Sequence, residues 1–151
     1  MTQDITAFKI KQVSIFSENK PGKLATVAKV LKEEGINILA FSIAEGAGYG
    51  VIRTIVDKPD KALEVLTKAG LMVRFTDVMA VEMFDRPGGL YELTQMLKEA
   101  NINIEYAYAY RNIPNAVLII RVEDVEDGIH KVQAHGAKLL TNDYFKSSTH
   151  G

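Results

Sequence analysis

The sequence predicts an α+β protein built from two tandem βαββαβ modules, each an antiparallel sheet carrying both helices on one face. Three observations lead there. The segment Pro21-Gly22-Lys23-Leu24 recurs as Pro87-Gly88-Gly89-Leu90, an offset of 66 residues. The same offset carries Leu31-Lys32-Glu33 onto Leu97-Lys98-Glu99, Ile36-Asn37-Ile38 onto Ile102-Asn103-Ile104, Val51 onto Val117, Val56 onto Val122, Gly70 onto Gly136 and Asp77 onto Asp143, without a gap. Within each copy the apolar periodicity switches between that of a strand and that of a helix in one fixed order. Two copies are too few, and the period too long, for a typical solenoid, so a duplicated small domain is the simpler reading.

The first copy opens with a strand in which Val13 and Ile15 alternate. Pro21-Gly22 breaks it, and Leu24, Val27, Ala28 and Leu31 then fall at helical spacing. Proline is tolerated at a helix start, where its missing N–H would have gone unpaired. Gly35 ends this helix, and Asn101, which also tolerates the left-handed conformation, stands at the matching place. Residues 36–45 and 51–57 are two β-rich runs around the glycine-rich Gly46-Ala47-Gly48-Tyr49-Gly50 and read as a hairpin. Ala62, Leu63, Leu66 and Ala69 form a second helical stripe closed by Gly70, and residues 71–75 supply the last strand.

The second copy repeats this order over 79–83, 90–100, 102–111, 116–123, 125–135 and 138–141, with Asn112-Ile113-Pro114-Asn115 as its hairpin turn. The boundary falls near Asp77, giving modules over 1–77, with a core from about residue 11, and 78–151, with a core to about residue 145. Tyr106, Tyr108 and Tyr110 share one face of a strand and are expected to pack against a helix or a neighbouring module. In the first copy Ile36 and Ile38 point to one face, yet Leu39, Phe41 and Ile43 on the other are apolar too. Strict alternation puts those three on the helix-free face, which is then expected to be covered by a second chain.

Composition narrows the function classes. Of 151 residues, 47% are apolar, enough for a sizeable core in one domain or two. Lys and Arg number 18 against 19 Asp and Glu, a net charge of −1 that gives no bulk electrostatic footprint for nucleic acid. With no cysteine there is no disulfide framework, thiolate nucleophile or cysteine-based zinc site. His130 and His135 are five residues apart and do not share a helix face, and His150 lies in a polar tail, so no metal is expected. Residues 1–12 lack a leader-like apolar run and no later stretch is long enough to span a bilayer, so the expectation is a cytoplasmic protein without a cofactor.

Glu18-Asn19-Lys20-Pro21-Gly22-Lys23-Leu24, followed by Gly35-Ile36-Asn37-Ile38 and Gly48-Tyr49-Gly50-Val51-Ile52, resembles an ACT domain, in particular the serine-sensing one of phosphoglycerate dehydrogenase. Asp85-Arg86-Pro87-Gly88-Gly89-Leu90 with Asn101-Ile102-Asn103-Ile104 resembles it again. The likeness covers roughly residues 11 to 145. It implies a ferredoxin-like fold, side-by-side pairing of modules into one continuous sheet, and an amino-acid effector at their junction. In the serine-sensing relatives an asparagine before the Pro-Gly turn and one in the next strand hold the ligand from opposite modules; the matching residues here are Asn19 and Asn37.

The chemistry is suitable in its own right. A zwitterion needs donors for its carboxylate and acceptors for its ammonium, and an asparagine amide supplies both. The backbone N–H groups of Gly22, Lys23 and Leu24 lie at a helix N-terminus, where free donors and the helix dipole favour a carboxylate. Asp85 replaces the first asparagine in the second copy; it accepts but does not donate, so it suits the ammonium only. Pairing across modules sets Asn19 with Asn103 and Asp85 with Asn37, two unequal sites of which the first is expected to bind better. Ile38, Ile104, Lys20, Arg86 and the turn residues Pro21, Pro87, Gly88, Gly89 and Leu90 complete the expected ligand surroundings. Taken singly, Asn19 and Asp85 read as turn or cap residues, Asn37 and Asn103 as solvated ones, and Gly70 and Gly136 as helix C-caps. The doubled context favours binding.

The function expected is therefore a non-catalytic amino-acid sensor, acting as a homodimer. The alternatives are a regulatory subunit docking on a separate metabolic enzyme and, behind it, a single-stranded RNA-binding module of the same βαββαβ order. For RNA, Val51 stands where a stacking aromatic is needed and the second copy has Pro114-Asn115-Ala116-Val117 instead. No serine, histidine and carboxylate group and no phosphate loop recurs at matching positions to suggest an enzyme.

Overall fold

The computed structural model describes residues 5–18 and 20–146, so Asn19 and His150 lie outside the described residues. The chain divides into two compact units, Lys11–Thr76 with residues 145 and 146, and Asp77–Tyr144 with residues 5–10. Each is an α+β layer structure of ferredoxin-like order.

In the first unit, β1 (Ile10–Glu18), α1 (Lys23–Glu33), β2 (Ile38–Gly46), β3 (Tyr49–Val56), α2 (Pro59–Lys68) and the beginning of β4 (Met72–Phe84) follow in sequence. The strands lie in the order β2-β3-β1-β4, with β3 antiparallel to both of its neighbours. Val13 and Ile15 of β1, Val27 and Leu31 of α1, Ile52 and Val56 of β3, and Ala62 and Leu66 of α2 make one core. The second unit takes the rest of β4, then α3 (Gly89–Glu99), β5 (Ile104–Asn112), β6 (Asn115–Val122) and α4 (Val125–Ala134), in strand order β4-β6-β5. Its core joins Met79 and Val81 to Leu93, Leu97, Leu118, Ile120, Ile129 and Val132. Asn101 takes the left-handed conformation with φ 58°, at the place where Gly35 has φ 69°.

Several expectations are corrected. Pro21 stands outside the helix: Gly22, left-handed at φ 90°, is the N-cap and α1 begins at Lys23. The separate strands expected over 71–75 and 79–83 are one thirteen-residue strand, β4, that runs through Asp77. The last strand, expected over 138–141, is reduced to a single bridge between Val81 and Leu139. The backbone bonds Glu82 N–H to Lys138 and Leu140 N–H to Ala80 flank it. A short helix, α5 (Asn142–Lys146), follows instead. The Asn142 amide anchors its start by donating to the carbonyls of Ala7 and Lys9 at 3.2 and 2.9 Å.

The apolar strand after α1 is also placed differently. A bulge between Ile38 and Ala40 shifts the register, so that Phe41 pairs with Thr54 and Ile43 with Ile52. Thr54 and Ile52 in turn pair with Val13 and Ile15, whose side chains lie in the core beneath the helices. Directly paired residues share a face. Phe41 and Ile43 therefore lie on the helix-bearing side, 53% and 51% exposed. The helix-free face carries the polar row Ser14, Arg53 and Ser42 between the apolar row Phe16, Val51 and Ala44 and the buried pair Ala40 and Ile55. Strict alternation missed this because one inserted residue reverses every side chain after it.

Candidate effector site

The two Pro-Gly turns share a backbone but not their charges. Gly88 is the left-handed N-cap of α3 at φ 89°, as Gly22 is of α1, and neither helix has a side-chain cap. In α4, by contrast, Asp124 accepts from the Asp127 N–H at 3.1 Å. The first amide of each helix is already taken, Lys23 N–H by the Lys20 carbonyl at 3.3 Å and Gly89 N–H by the Arg86 carbonyl at 3.0 Å, against the expectation of a free Lys23 donor. The amides that follow, at the positive dipole end, are those that favour a carboxylate. Lys20, Pro21, Gly22, Pro87 and Gly88 are all exposed. Lys20 pairs with Glu18 at 2.7 Å, and Arg86 pairs with Glu92 at 3.3 Å while lying over the Phe84 ring at 4.4 Å. Asp85, expected as a free acceptor for an ammonium, is instead joined to the Arg111 guanidinium. Its charge is already answered within the unit.

The asparagines line matching grooves. Asn37 lies with Lys32, Gly35, Ile36 and Ile38 along a groove of about 430 Å³, and Asn103 with Lys98, Asn101, Ile102 and Ile104 along one of about 450 Å³. Lys32 and Lys98, one repeat apart, were not singled out from the sequence, although their common offset was in plain view. The Asn37 N–H donates to the Asp57 carboxylate at 2.9 Å, which pins the strand entry and leaves the amide side chain exposed. The two surroundings differ in charge. Lys58 and Lys61 donate to the carbonyls of Gly35 and Glu34 beside the Asn37 groove. Asp124 and Asp127 stand at their repeat positions and, with Glu105 and Glu123, line a second cavity touching Asn103.

Turn and asparagine are not brought together within a unit. In the first, β1 and β2 are both antiparallel to β3, so they run in the same direction. Lys20–Leu24 follow the end of β1 and Asn37 precedes the start of β2, which puts them at opposite ends of the sheet. The same holds for Arg86–Leu90 and Asn103, because β4 and β5 both run antiparallel to β6.

Sequence reasoning missed a third feature, a cleft of about 390 Å³ beside the second Pro-Gly turn. Met83, Leu93 and Met96 give it an apolar lining, and Glu82, Phe84, Gly89, Glu92 and His135 also border it. Comparing the copies would have signalled it, since the first has Ser17, Thr26, Val30 and Ala69 where the second has Met83, Glu92, Met96 and His135. Gly89 is required here, because a Cβ on it would lie 2.0 Å from the Phe84 carbonyl oxygen.

Glu82 is held below the usual carboxylate range by the Lys138 ammonium at 2.9 Å and then by the Asn115 amide. A depressed folded-state pKa contributes stability above the ordinary carboxylate range and loses it as pH falls. Glu82→Gln is therefore expected to lower the melting temperature most near neutrality, with the gap closing below about pH 4. Parallel curves down to acid pH would contradict the assignment. Tyr110 is held well above the ordinary phenol range, by burial first and then by Tyr144 of α5. The tyrosines of β5 pair across with Arg121, Ile119 and Val117 on the helix-free face, half-buried there.

Among the described residues no cluster of three or more His, Cys, Asp or Glu is arranged to hold a metal, and no helix is long and apolar enough to cross a membrane.

Comparison with known proteins agrees with this architecture. The family described as an ACT domain pair matches residues 8–140. No curated protein sequence gives a significant match. Among solved structures, protein BT0572 from Bacteroides thetaiotaomicron is 35% identical with a TM-score of 0.87, over 94% of this chain and 99% of that one. The ligand-free regulatory subunit of aspartate kinase from Thermus thermophilus is 20% identical with a TM-score of 0.63, over 85% and 93%. Its counterpart from Thermus flavus is 19% identical with a TM-score of 0.57, over the same shares. ACT domain pairs are regulatory modules, typical of amino-acid-sensing proteins. With a family match over most of its length, the chain belongs to the ACT-domain family, as an ACT domain pair.

Proposed function

We propose that this chain is a non-catalytic, cytoplasmic amino-acid sensor whose effector sites form where the Pro-Gly turn of one module meets the asparagine of another. The observation that carries the reading is the pair of left-handed glycine N-caps, Gly22 and Gly88, that open α1 and α3 without a side-chain cap. Each offers backbone donors to a carboxylate, and the amides of Asn19, Asn37 and Asn103 add both donors and acceptors for the rest of a zwitterion. Because turn and asparagine lie at opposite ends of a unit, a complete site needs a second module. Strands β2 and β5 are the edges of their units farthest from β4. A second copy of the chain, paired along such an edge, supplies the missing half. Phe41 and Ile43, exposed on β2, favour that edge over the helix-free face.

A second reading, a regulatory subunit that docks on a separate metabolic enzyme, draws on the near-full-length likeness to aspartate kinase regulatory subunits. A docking subunit acts with or without a ligand of its own, whereas the sensor reading requires an amino-acid ligand at the turns. A thermal-shift screen against the twenty amino acids tests it: a ligand at about a hundred times its dissociation constant adds roughly 2.7 kcal/mol of apparent stability. Asn19→Ala and Asn37→Ala are expected to reduce the shift. An undiminished shift in both would remove these residues from the site.

A further inference from the structure

We infer that the cleft beside the second Pro-Gly turn is itself a ligand site, taking a free amino acid with an apolar side chain. The inference rests on the amino-acid-binding reading above and adds a location and a ligand class. The lining is apolar where a side chain would sit: Met83, Leu93 and Met96, with the first and last only partly buried. Thioether side chains are unbranched and polarisable, and adapt to aliphatic or aromatic groups of differing shape. About 390 Å³ lies within the range of small-molecule sites.

The rim carries what a zwitterion needs. Glu92 borders the cleft and is paired with Arg86, which does not line the cleft itself but whose guanidinium lies over the ring of Phe84, another lining residue. An ammonium placed on Glu92 and a carboxylate placed on Arg86 match that pair charge for charge. Both groups are more than half exposed, so neither is committed to a buried network. His135 Nδ1 is bonded to the Lys131 carbonyl at 2.9 Å, which makes Nε2 an acceptor in the neutral ring and a second partner for the ammonium. The first unit keeps apolar residues in Val27 and Val30 but has Ser17 for Met83 and Thr26 for Glu92, so it lacks the acceptor for the ammonium. Only the second unit therefore carries this site.

The test uses the full chain with ¹³C-labelled methionine methyl groups, titrated with L-leucine, L-methionine, L-phenylalanine, L-serine and L-aspartate. The Met83 and Met96 signals are expected to move with at least one of the three apolar amino acids, while that of Met72, exposed in the first unit, stays in place. Glu92→Gln and Arg86→Gln are each expected to weaken this response about tenfold, the value of one charge-assisted hydrogen bond. Circular dichroism of these surface variants checks that they fold. Equal response to serine and aspartate would overturn the ligand class. Stationary Met83 and Met96 signals, with amino-acid binding detected by calorimetry, would overturn the site and leave the sensor reading standing. No amino-acid binding by either method would overturn both.

Discussion

Gly89→Ala is expected to destabilise the second unit by about 1–3 kcal/mol or somewhat more, the usual cost of forcing extra volume into a packed place. The new Cβ would lie 2.0 Å from the Phe84 carbonyl oxygen and 3.1 Å from its carbon. The obstacle is backbone, so the relief available to a flexible side chain is absent. The turn and the end of β4 must part, which also opens the cleft between them. At the equivalent position the first copy carries Lys23, whose Cβ is already accommodated, and Lys23→Ala is expected to stay within about 0.5 kcal/mol of wild type. Urea unfolding followed by circular dichroism measures both. A Gly89→Ala midpoint equal to wild type would mean that the turn does not close on Phe84 as described.

Leu97→Ala and Leu31→Ala are expected to cost about 2–5 kcal/mol each, the range for truncating a leucine in a tight core. They are repeat equivalents, each 1% exposed, on the inner faces of α3 and α1. Each packs in the core of its own unit, so in the double variant the two losses are expected to sum within about 0.5 kcal/mol. A loss below about 1 kcal/mol for either, in the same urea experiment, would show that its core is not closed around that side chain.

The helices and their inner faces were legible because period and punctuation agreed. Val27 and Leu31, and Leu93 and Leu97, fall on buried stripes, and Gly35, Gly70, Asn101 and Gly136 mark helix ends by their left-handed backbone. Strand β2 was not legible, because a bulge leaves no periodic trace: Leu39 reads as one more apolar residue, and its insertion turns Phe41 and Ile43 to the other face. The end of the second copy failed for a different reason. Residues 138–141 have strand composition, but only one bridge forms before Asn142 finds carbonyl partners that start a helix.

At the candidate site the sequence pointed to the turns and the asparagines, whose spacing repeats, and overlooked what does not repeat. Met83, Glu92, Met96 and His135 depart from the first copy, and a search for sameness passes over them. The engagement of Asp85 by Arg111 was equally hidden. Twenty-six residues separate them, and only the adjacency of β4 and β5 to β6 brings the two ends near each other. That ion pair makes the second turn a weaker place for an ammonium than its lone carboxylate suggested.

On the sensor reading proposed above, this ACT domain pair works by binding a free amino acid. Isothermal titration calorimetry of the purified full chain against each of the twenty amino acids tests it most directly. Saturable binding of at least one of them is expected, reduced by Asn37→Ala or by Glu92→Gln according to the site occupied. Protein shown to be folded and ligand-free that gives no saturable heat with any of the twenty would contradict it.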